Sequence, residues 1–334
     1  MRLAILDDYH GIAKTMVAWN SIPGLTVVAF RDHVDDVNEL VHRLDSFDAV
    51  MRIRERTVFT RDILERLPRL KLILATGIRN AKSLDLAAAD ARGIVVCTTH
   101  ARAEVTVEMT WALILALSRR LIDEVASVRS GGWQRHLGIG LAGRTLGVVG
   151  LGHIGLPVAE VGRAFGMKLL AWSPHMTSER AARHGAEAVD KTALFARSDV
   201  VTIHMPHTAA TTHIIDAHCI ASMPAHAYLV NTSRPQLVDQ AALLEALQNR
   251  RIAGAGLDVY DIEPLPLDHP YRMLSNVVAT PHIGFVSEEN MRIFFEESLA
   301  NLAAFMRGEP IRQITAAAPF RPDTHVAKLG SVTL

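Results

Sequence analysis

The sequence predicts an α/β protein of two doubly wound parallel-sheet domains with a cleft between them, and three observations carry this. Its 334 residues suit two domains at roughly 150 residues each. Short runs rich in Val, Ile and Leu alternate with amphipathic stretches, the pattern of successive strand–helix–strand units. A glycine run, Gly150-Leu151-Gly152-His153-Ile154-Gly155, lies far enough along that a whole α/β unit precedes it.

In the first series, residues 3–6, 25–30, 49–53, 72–75 and 94–97 read as buried strands, with amphipathic or polar stretches such as 34–44 and 61–67 between them. A long helix is expected over 103–125; it is apolar nearly all round across 111–117, which assigns it to a core or a subunit interface. A polar loop, Ser130-Gly131-Gly132-Trp133, leads to a second series with strands at 145–149, 168–172, 200–204, 228–231, 254–258 and 277–279. The last helix begins at Ser287, a good N-cap, with Glu288 and Glu289 favoured in its first turn by the helix dipole. Met291, Phe294, Phe295, Leu299, Leu302 and Phe305 recur along it at helical spacing, and Gly308 and Pro310 stop it. The tail after Ile311 reads as loop. This helix has no place in the second sheet series, so it is expected to return to the first domain. The domains are then 1–103 plus 287–334, and 104–286, and a cleft between them would hold the substrate.

Composition narrows the partners. Apolar residues make up 49% and charged residues 21%, and 35 Lys+Arg balance 35 Asp+Glu. No basic stripe invites nucleic acid or an anionic membrane, which favours a small-molecule partner. The two cysteines, Cys97 and Cys219, form no C-x-x-C pattern, so neither a disulfide framework nor a cysteine zinc site is expected. His100, His204 and His207 lack metal-ligand spacing, and no metal is assigned. The start, Met1 to Asp8, turns acidic after four apolar residues, too few for a signal peptide, and 111–117 is too short for a membrane span. A cytoplasmic location is the expectation.

The glycine run follows an apolar strand and opens a helix pattern, the setting in which G-x-G-x-x-G binds a dinucleotide. Gly150 makes the tight turn, Gly152 admits the pyrophosphate, and Gly155 lets helix and strand pack closely. The pyrophosphate would rest on the N–H groups at the helix start, with Ile154 in the turn and His153 facing solvent. An acid is expected about 20 residues on, at the adenosine ribose. Ser173 stands there instead. His175 and Arg180 or Arg183 supply positive charge nearby, so NAD is the expected cofactor with NADP left open.

Three residues follow downstream strands, at the sheet edge where open α/β folds bind ligands: Arg234, Glu263 and His282. The surrounding motifs are Leu141-Ala142-Gly143-Arg144-Thr145-Leu146-Gly147, Asn231-Thr232-Ser233-Arg234, Leu257-Asp258-Val259-Tyr260, Glu263-Pro264 and Thr280-Pro281-His282-Ile283-Gly284. In this order they resemble the D-isomer-specific 2-hydroxyacid dehydrogenases, the family of D-lactate, phosphoglycerate and glyoxylate/hydroxypyruvate dehydrogenases or reductases. The resemblance implies a flavodoxin-like substrate domain and a Rossmann cofactor domain. It implies that Arg234 holds the substrate carboxylate, that His282 is the general acid/base, and that Glu263 orients His282. It further implies that Asp258 contacts the nicotinamide amide, that Thr232 and Ser173 belong to the cofactor site, and that backbone around Arg54 and Gly77 approaches the substrate.

Two departures from the family pattern stand out. Pro235 follows Arg234 where glycine is usual, which biases Arg234 toward an extended backbone. The segment Gly77-Ile78-Arg79-Asn80-Ala81-Lys82 is more basic than the usual loop, suggesting selection of a larger or doubly charged acid through Arg79. Other nicotinamide classes fit less well: no tyrosine has Lys four residues later, and the glycine run is not near the amino terminus. A non-catalytic NAD(H)-sensing scaffold of the corepressor type is the alternative on the same fold. The chain ends soon after the returning helix, so no amino-acid-sensing regulatory domain is expected, and the 104–121 helix with the Trp133 loop suggests a homodimer.

Overall fold

The computed structural model describes residues 1–77 and 83–318. Contacts divide the chain into two compact units, Met1–Arg102 with the segment from Ser287, and Ala103–Val286.

In the first unit, β1 (Arg2–Ile5), β2 (Thr26–Ala29), β3 (Ala49–Arg52), β4 (Leu72–Ala75) and β5 (Val95–Thr98) are parallel in the order β2-β1-β3-β4-β5. That order is the flavodoxin-like one. The central strands β3 and β4 are buried along their length, which is why they read as unbroken apolar runs rather than alternating ones. Between them run α1 (Ala13–Met16), α2 (Val37–Leu44), α3 (Arg61–Glu65) and α4 (Leu86–Ala91). The side chains of Asp36, Thr60 and Asp85 cap the last three by accepting from the N–H three residues on.

The second unit begins with α5 (Glu104–Ser118) and α6 (Leu121–Arg129). Its sheet contains β6 (Thr145–Val149), β7 (Lys168–Trp172), β8 (Glu187–Ala188), β9 (Val200–Ile203), β10 (Tyr228–Asn231), β11 (Gly254–Leu257) and β12 (Val277–Ala279). All pair in parallel in the order β12-β11-β10-β9-β6-β7-β8. With β6 as first strand this is the Rossmann order, extended by one strand. Its helices are α7 (Gly155–Ala164), α8 (Ser178–Ala182), α9 (Lys191–Arg197), α10 (Ala217–Ser222) and α11 (Gln240–Gln248). Trp111 of α5 donates from its indole to the Val158 carbonyl of α7 (3.2 Å) and stacks at 5.0 Å on Phe165.

The final helix, α12 (Glu288–Met306), packs in the first unit, with Phe295 edge-on to Trp19 at 6.4 Å. Ser287 caps it by accepting from Asn290 N–H. Phe294 and Phe295 are fully buried there, worth about 1.5–3 kcal/mol each.

Two expectations are corrected. The helix expected over 103–125 is two helices, broken where Arg120 adopts the left-handed conformation (φ 52) between α5 and α6. Apolar periodicity runs through the break and so conceals it. The tail after Ile311 is not wholly loop: β13 (Gln313–Ile314) pairs antiparallel with β5, burying Ile314 in the first core. Two paired residues are too few to register as a strand pattern. Several strand ends also shift by one residue, residues 2–5 replacing 3–6 for the first.

Candidate active site

The chain leaving β6 turns at Gly150 with φ 94, a conformation open to glycine at little cost. A side chain there would strike the His204 carbonyl, and one at Gly155 would strike the Gly150 carbonyl. At Gly152, by contrast, a Cβ would meet no atom within 4 Å. Gly150 N–H donates to the Trp172 carbonyl at 2.8 Å, tying the turn to the end of β7. Helix α7 then starts at Gly155 with no side-chain cap on its N-terminus. These residues fit a pyrophosphate: exposed backbone at Gly152, open space above it, and uncapped helix N–H groups behind. His153 is exposed and Ile154 is the residue before the helix.

Ser173 directly follows β7 and is half-buried. The Arg180 guanidinium donates to the Leu151 carbonyl at 3.1 Å, inside the glycine turn. His175 and Arg183 are exposed.

His282 lies in the loop after β12 at φ 52. Its Nδ1–H donates to Glu263 Oε2 at 2.6 Å, and its ring sits edge-on to Phe285. The other oxygen of Glu263 accepts from Tyr260 N–H at 2.9 Å, so the carboxylate cannot swing away without losing a second bond. Tyr260 in turn donates to the Leu257 and Thr280 carbonyls, and burial pushes its hydroxyl pKa up.

Asp258, fully buried, braces the same loop. It accepts from Thr280 Oγ1 (2.6 Å), Ile283 N–H (2.9 Å) and Gly284 N–H (2.7 Å). Burial raises its pKa against the lowering effect of Thr280, the His282 charge and the two amides. Its oxygens are thus turned to the loop that carries His282.

Arg234 follows β10 with an extended backbone (φ −143, ψ 139), the conformation favoured before Pro235. Its carbonyl accepts from Asn231 Nδ2, and its guanidinium donates to the Ser233 carbonyl at 2.6 Å. Thr232 is buried, its hydroxyl 2.8 Å from that of Thr110 on α5. His204 follows β9, with Nε2 2.9 Å from Thr202 Oγ1, and burial pushes its pKa down to about 3. The second unit therefore presents the glycine turn, Arg234 and the His282–Glu263 pair at the carboxyl ends of one sheet, where ligands bind open α/β folds.

The first unit places Arg54 after β3 and Gly77 after β4. Arg54 has φ 56; its N–H donates to Thr76 Oγ1, and its guanidinium packs against Gly77. Gly77, at φ 82, donates to Thr99 Oγ1 and accepts from Thr98 Oγ1. Sequence reasoning missed Arg52. It is fully buried, donates to the Arg54 and Ser83 carbonyls and to Ser83 Oγ, and has its pKa lowered to about 10 by burial. It holds the Arg54 backbone; the available signal was a cation ending an otherwise apolar strand. The basic segment after Gly77, with Arg79, lies outside the described residues.

Comparisons with known proteins agree with this architecture. The family model for the D-isomer specific 2-hydroxyacid dehydrogenase NAD-binding domain matches residues 111–284. D-3-phosphoglycerate dehydrogenase of Methanocaldococcus jannaschii is 38% identical over 81% of this chain and 52% of its own length. Glyoxylate reductase of Thermococcus litoralis is 38% identical over 81% of this chain and 84% of its own. The crystal structure of phosphoglycerate oxidoreductase from Vibrio cholerae superposes with a TM-score of 0.88 at 36% identity, covering 92% of this chain and 99% of that one. The chain spans about half the length of the phosphoglycerate dehydrogenase relatives it matches. Fold and glycine turn define a two-unit α/β protein with a nicotinamide-dinucleotide fold. Within that class, the chain belongs to the D-isomer-specific 2-hydroxyacid dehydrogenase family.

Proposed function

We propose that this protein interconverts a D-2-hydroxy acid and its 2-oxo acid with a nicotinamide dinucleotide. The observation that carries this is the 2.6 Å His282–Glu263 pair on the same sheet edge as the glycine turn. A carbonyl being reduced needs a proton at its oxygen, and His282 Nε2 is the ring nitrogen left for it once Nδ1 is committed to Glu263. Glu263 fixes the ring orientation and stabilises the charged imidazole that donates. Asp258 and Tyr260 hold the two loops that carry the pair. When bound, the cofactor supplies the hydride to C2, or takes it in the reverse direction. Arg234 is assigned to the substrate carboxylate, because a guanidinium offers two parallel N–H donors to it. In the first unit, Arg54 and Gly77 are the proposed substrate contacts. In the second, the turn from Gly150 to Gly155 is assigned to the pyrophosphate, Ser173 to the ribose, and Thr232 and Asp258 to the nicotinamide side.

The relatives named above act, by their names, on 3-phosphoglycerate and glyoxylate. The test is a panel of glyoxylate, hydroxypyruvate, pyruvate, branched 2-oxo acids and D-3-phosphoglycerate, assayed with both nicotinamide cofactors. Turnover of at least one with D-stereochemistry is expected; failure of all with intact nucleotide binding would favour a non-catalytic dinucleotide sensor.

A homodimer is part of the proposal. Helix α6 and the following loop expose Ile122 (57%), Val128 (56%), Trp133 (75%) and Leu137 (97%), an apolar surface that a second copy would cover. Light scattering should give twice the 36.6 kDa chain mass, and Val128→Glu should shift it toward the monomer.

A further inference from the structure

The adenosine end of the dinucleotide site departs from the pattern that selects NAD. An acid after the second Rossmann strand binds the ribose hydroxyls and repels a 2′-phosphate. Here that place holds Ser173, which brings a hydroxyl and no charge. The turn and the strand end are held together, Gly150 N–H donating to Trp172 O, so Ser173 stands beside the glycine turn.

A cation stands at the same turn. Arg180 reaches from α8 to donate Nη2–H to the Leu151 carbonyl at 3.1 Å, while Thr177 accepts from its backbone N–H. The carbonyl occupies one donor of a guanidinium that has five. Among the described residues Arg180 forms no ion pair with any carboxylate, and its one side-chain hydrogen bond goes to the Leu151 carbonyl. Its neighbours differ. Arg183 is exposed, as is His175 on the loop; the Glu179 carboxyl is held low by hydrogen bonds from its own backbone and from Thr177, with the Arg183 charge adding to them. A half-buried cation pinned to the glycine turn, to which a strand end carrying Ser173 rather than an acid is also tied, is suited to a dianion.

We propose that Arg180 binds the 2′-phosphate of the adenosine ribose and that the protein therefore uses NADPH in preference to NADH. This rests on the dinucleotide reading of the glycine turn. Arg180 is a specificity residue, touching the cofactor far from the reacting carbon. Ser173 donates its hydroxyl to the same phosphate.

The test is calorimetric titration of the full chain with NADPH and with NADH, without substrate, so that binding is read apart from turnover. The wild type should bind NADPH more tightly by about 10-fold or more. Arg180→Ala should weaken NADPH by about 10- to 100-fold and leave NADH within about 2-fold. Ser173→Asp, which keeps Arg180, should invert the preference by placing an acid against the phosphate. Equal or tighter binding of NADH by the wild type overturns the proposal and leaves the dehydrogenase reading standing. An equal loss of both nucleotides in Arg180→Ala, with Ser173→Asp unchanged, overturns it as well, since a mere brace for Leu151 would behave so. Binding of neither nucleotide by the wild type overturns both this assignment and the dinucleotide reading.

Discussion

In the first unit the chain leaving β1 turns at Asp7 (φ 57), whereas in the second the chain leaving β6 turns at Gly150 (φ 94). Both positive φ values follow the first strand of a doubly wound sheet, yet the turns are filled differently. Asp7 is buried, accepting from His33 Nδ1 at 2.8 Å and Thr57 Oγ1 at 2.5 Å, while its carbonyl accepts from Arg56. The second turn carries no side chain at Gly150 and open space at Gly152. A carboxylate at the strand end repels phosphate, and bare N–H groups attract it. Sheet topology alone thus does not make a dinucleotide site; what occupies the turn after the first strand does.

That contrast can be broken by filling the open turn. Gly150→Val places a β-branched side chain at φ 94 against the His204 carbonyl. Dinucleotide affinity should fall about 100-fold or more, with a lowered melting temperature, as read by calorimetry and thermal denaturation.

The next largest effects sharpen what the second sheet edge adds. Glu263→Gln keeps the shape beside His282 but removes the carboxylate that accepts its Nδ1–H and stabilises its charge. Turnover should fall about 10- to 100-fold while nucleotide affinity stays within about 2-fold. Arg234→Lys keeps a cation but loses the two-pronged donor; KM for the 2-oxo acid should rise about 10-fold with a smaller change in kcat.

The smallest effect belongs to the closed turn. His33 lies between Asp7 and Asp35, and its hydrogen bond to Asp7 holds its pKa above the usual value despite partial burial. The stabilisation is therefore complete below about pH 6.5, the unfolded value, and is lost as pH rises through the raised folded value. His33→Asn should lower the melting temperature by about 2–4 °C at pH 6, and the gap from wild type should narrow by pH 9.

Much of this was legible in the sequence because the inner strands of both sheets are buried and therefore written as apolar runs. Glycines that must turn or admit a ligand sit at fixed offsets from such a run, which is why the segment from Gly150 to Gly155 could be read. Arg234, Glu263 and His282 were recognisable through their motifs, although no periodicity links Glu263 to His282; their 2.6 Å contact spans 19 residues. Other features were not legible. Arg120 breaks a helix by a backbone conformation that its side chain does not announce. Which of Arg180 and Arg183 faces the turn depends on where a five-residue helix starts, and Thr177 sets that start by capping it. Arg52 would pass for a strand-end surface cation, because its burial depends on the Ser83 carbonyl 31 residues away.

The central claim is that His282, oriented by Glu263, passes the proton in a hydride-transfer reaction. It is tested most directly by comparing wild type and His282→Ala for reduction of the best 2-oxo acid, with cofactor affinity measured on the same samples. The account predicts kcat lower by about 100- to 10,000-fold in the variant with cofactor affinity unchanged. A variant that turns over at the wild-type rate would contradict it.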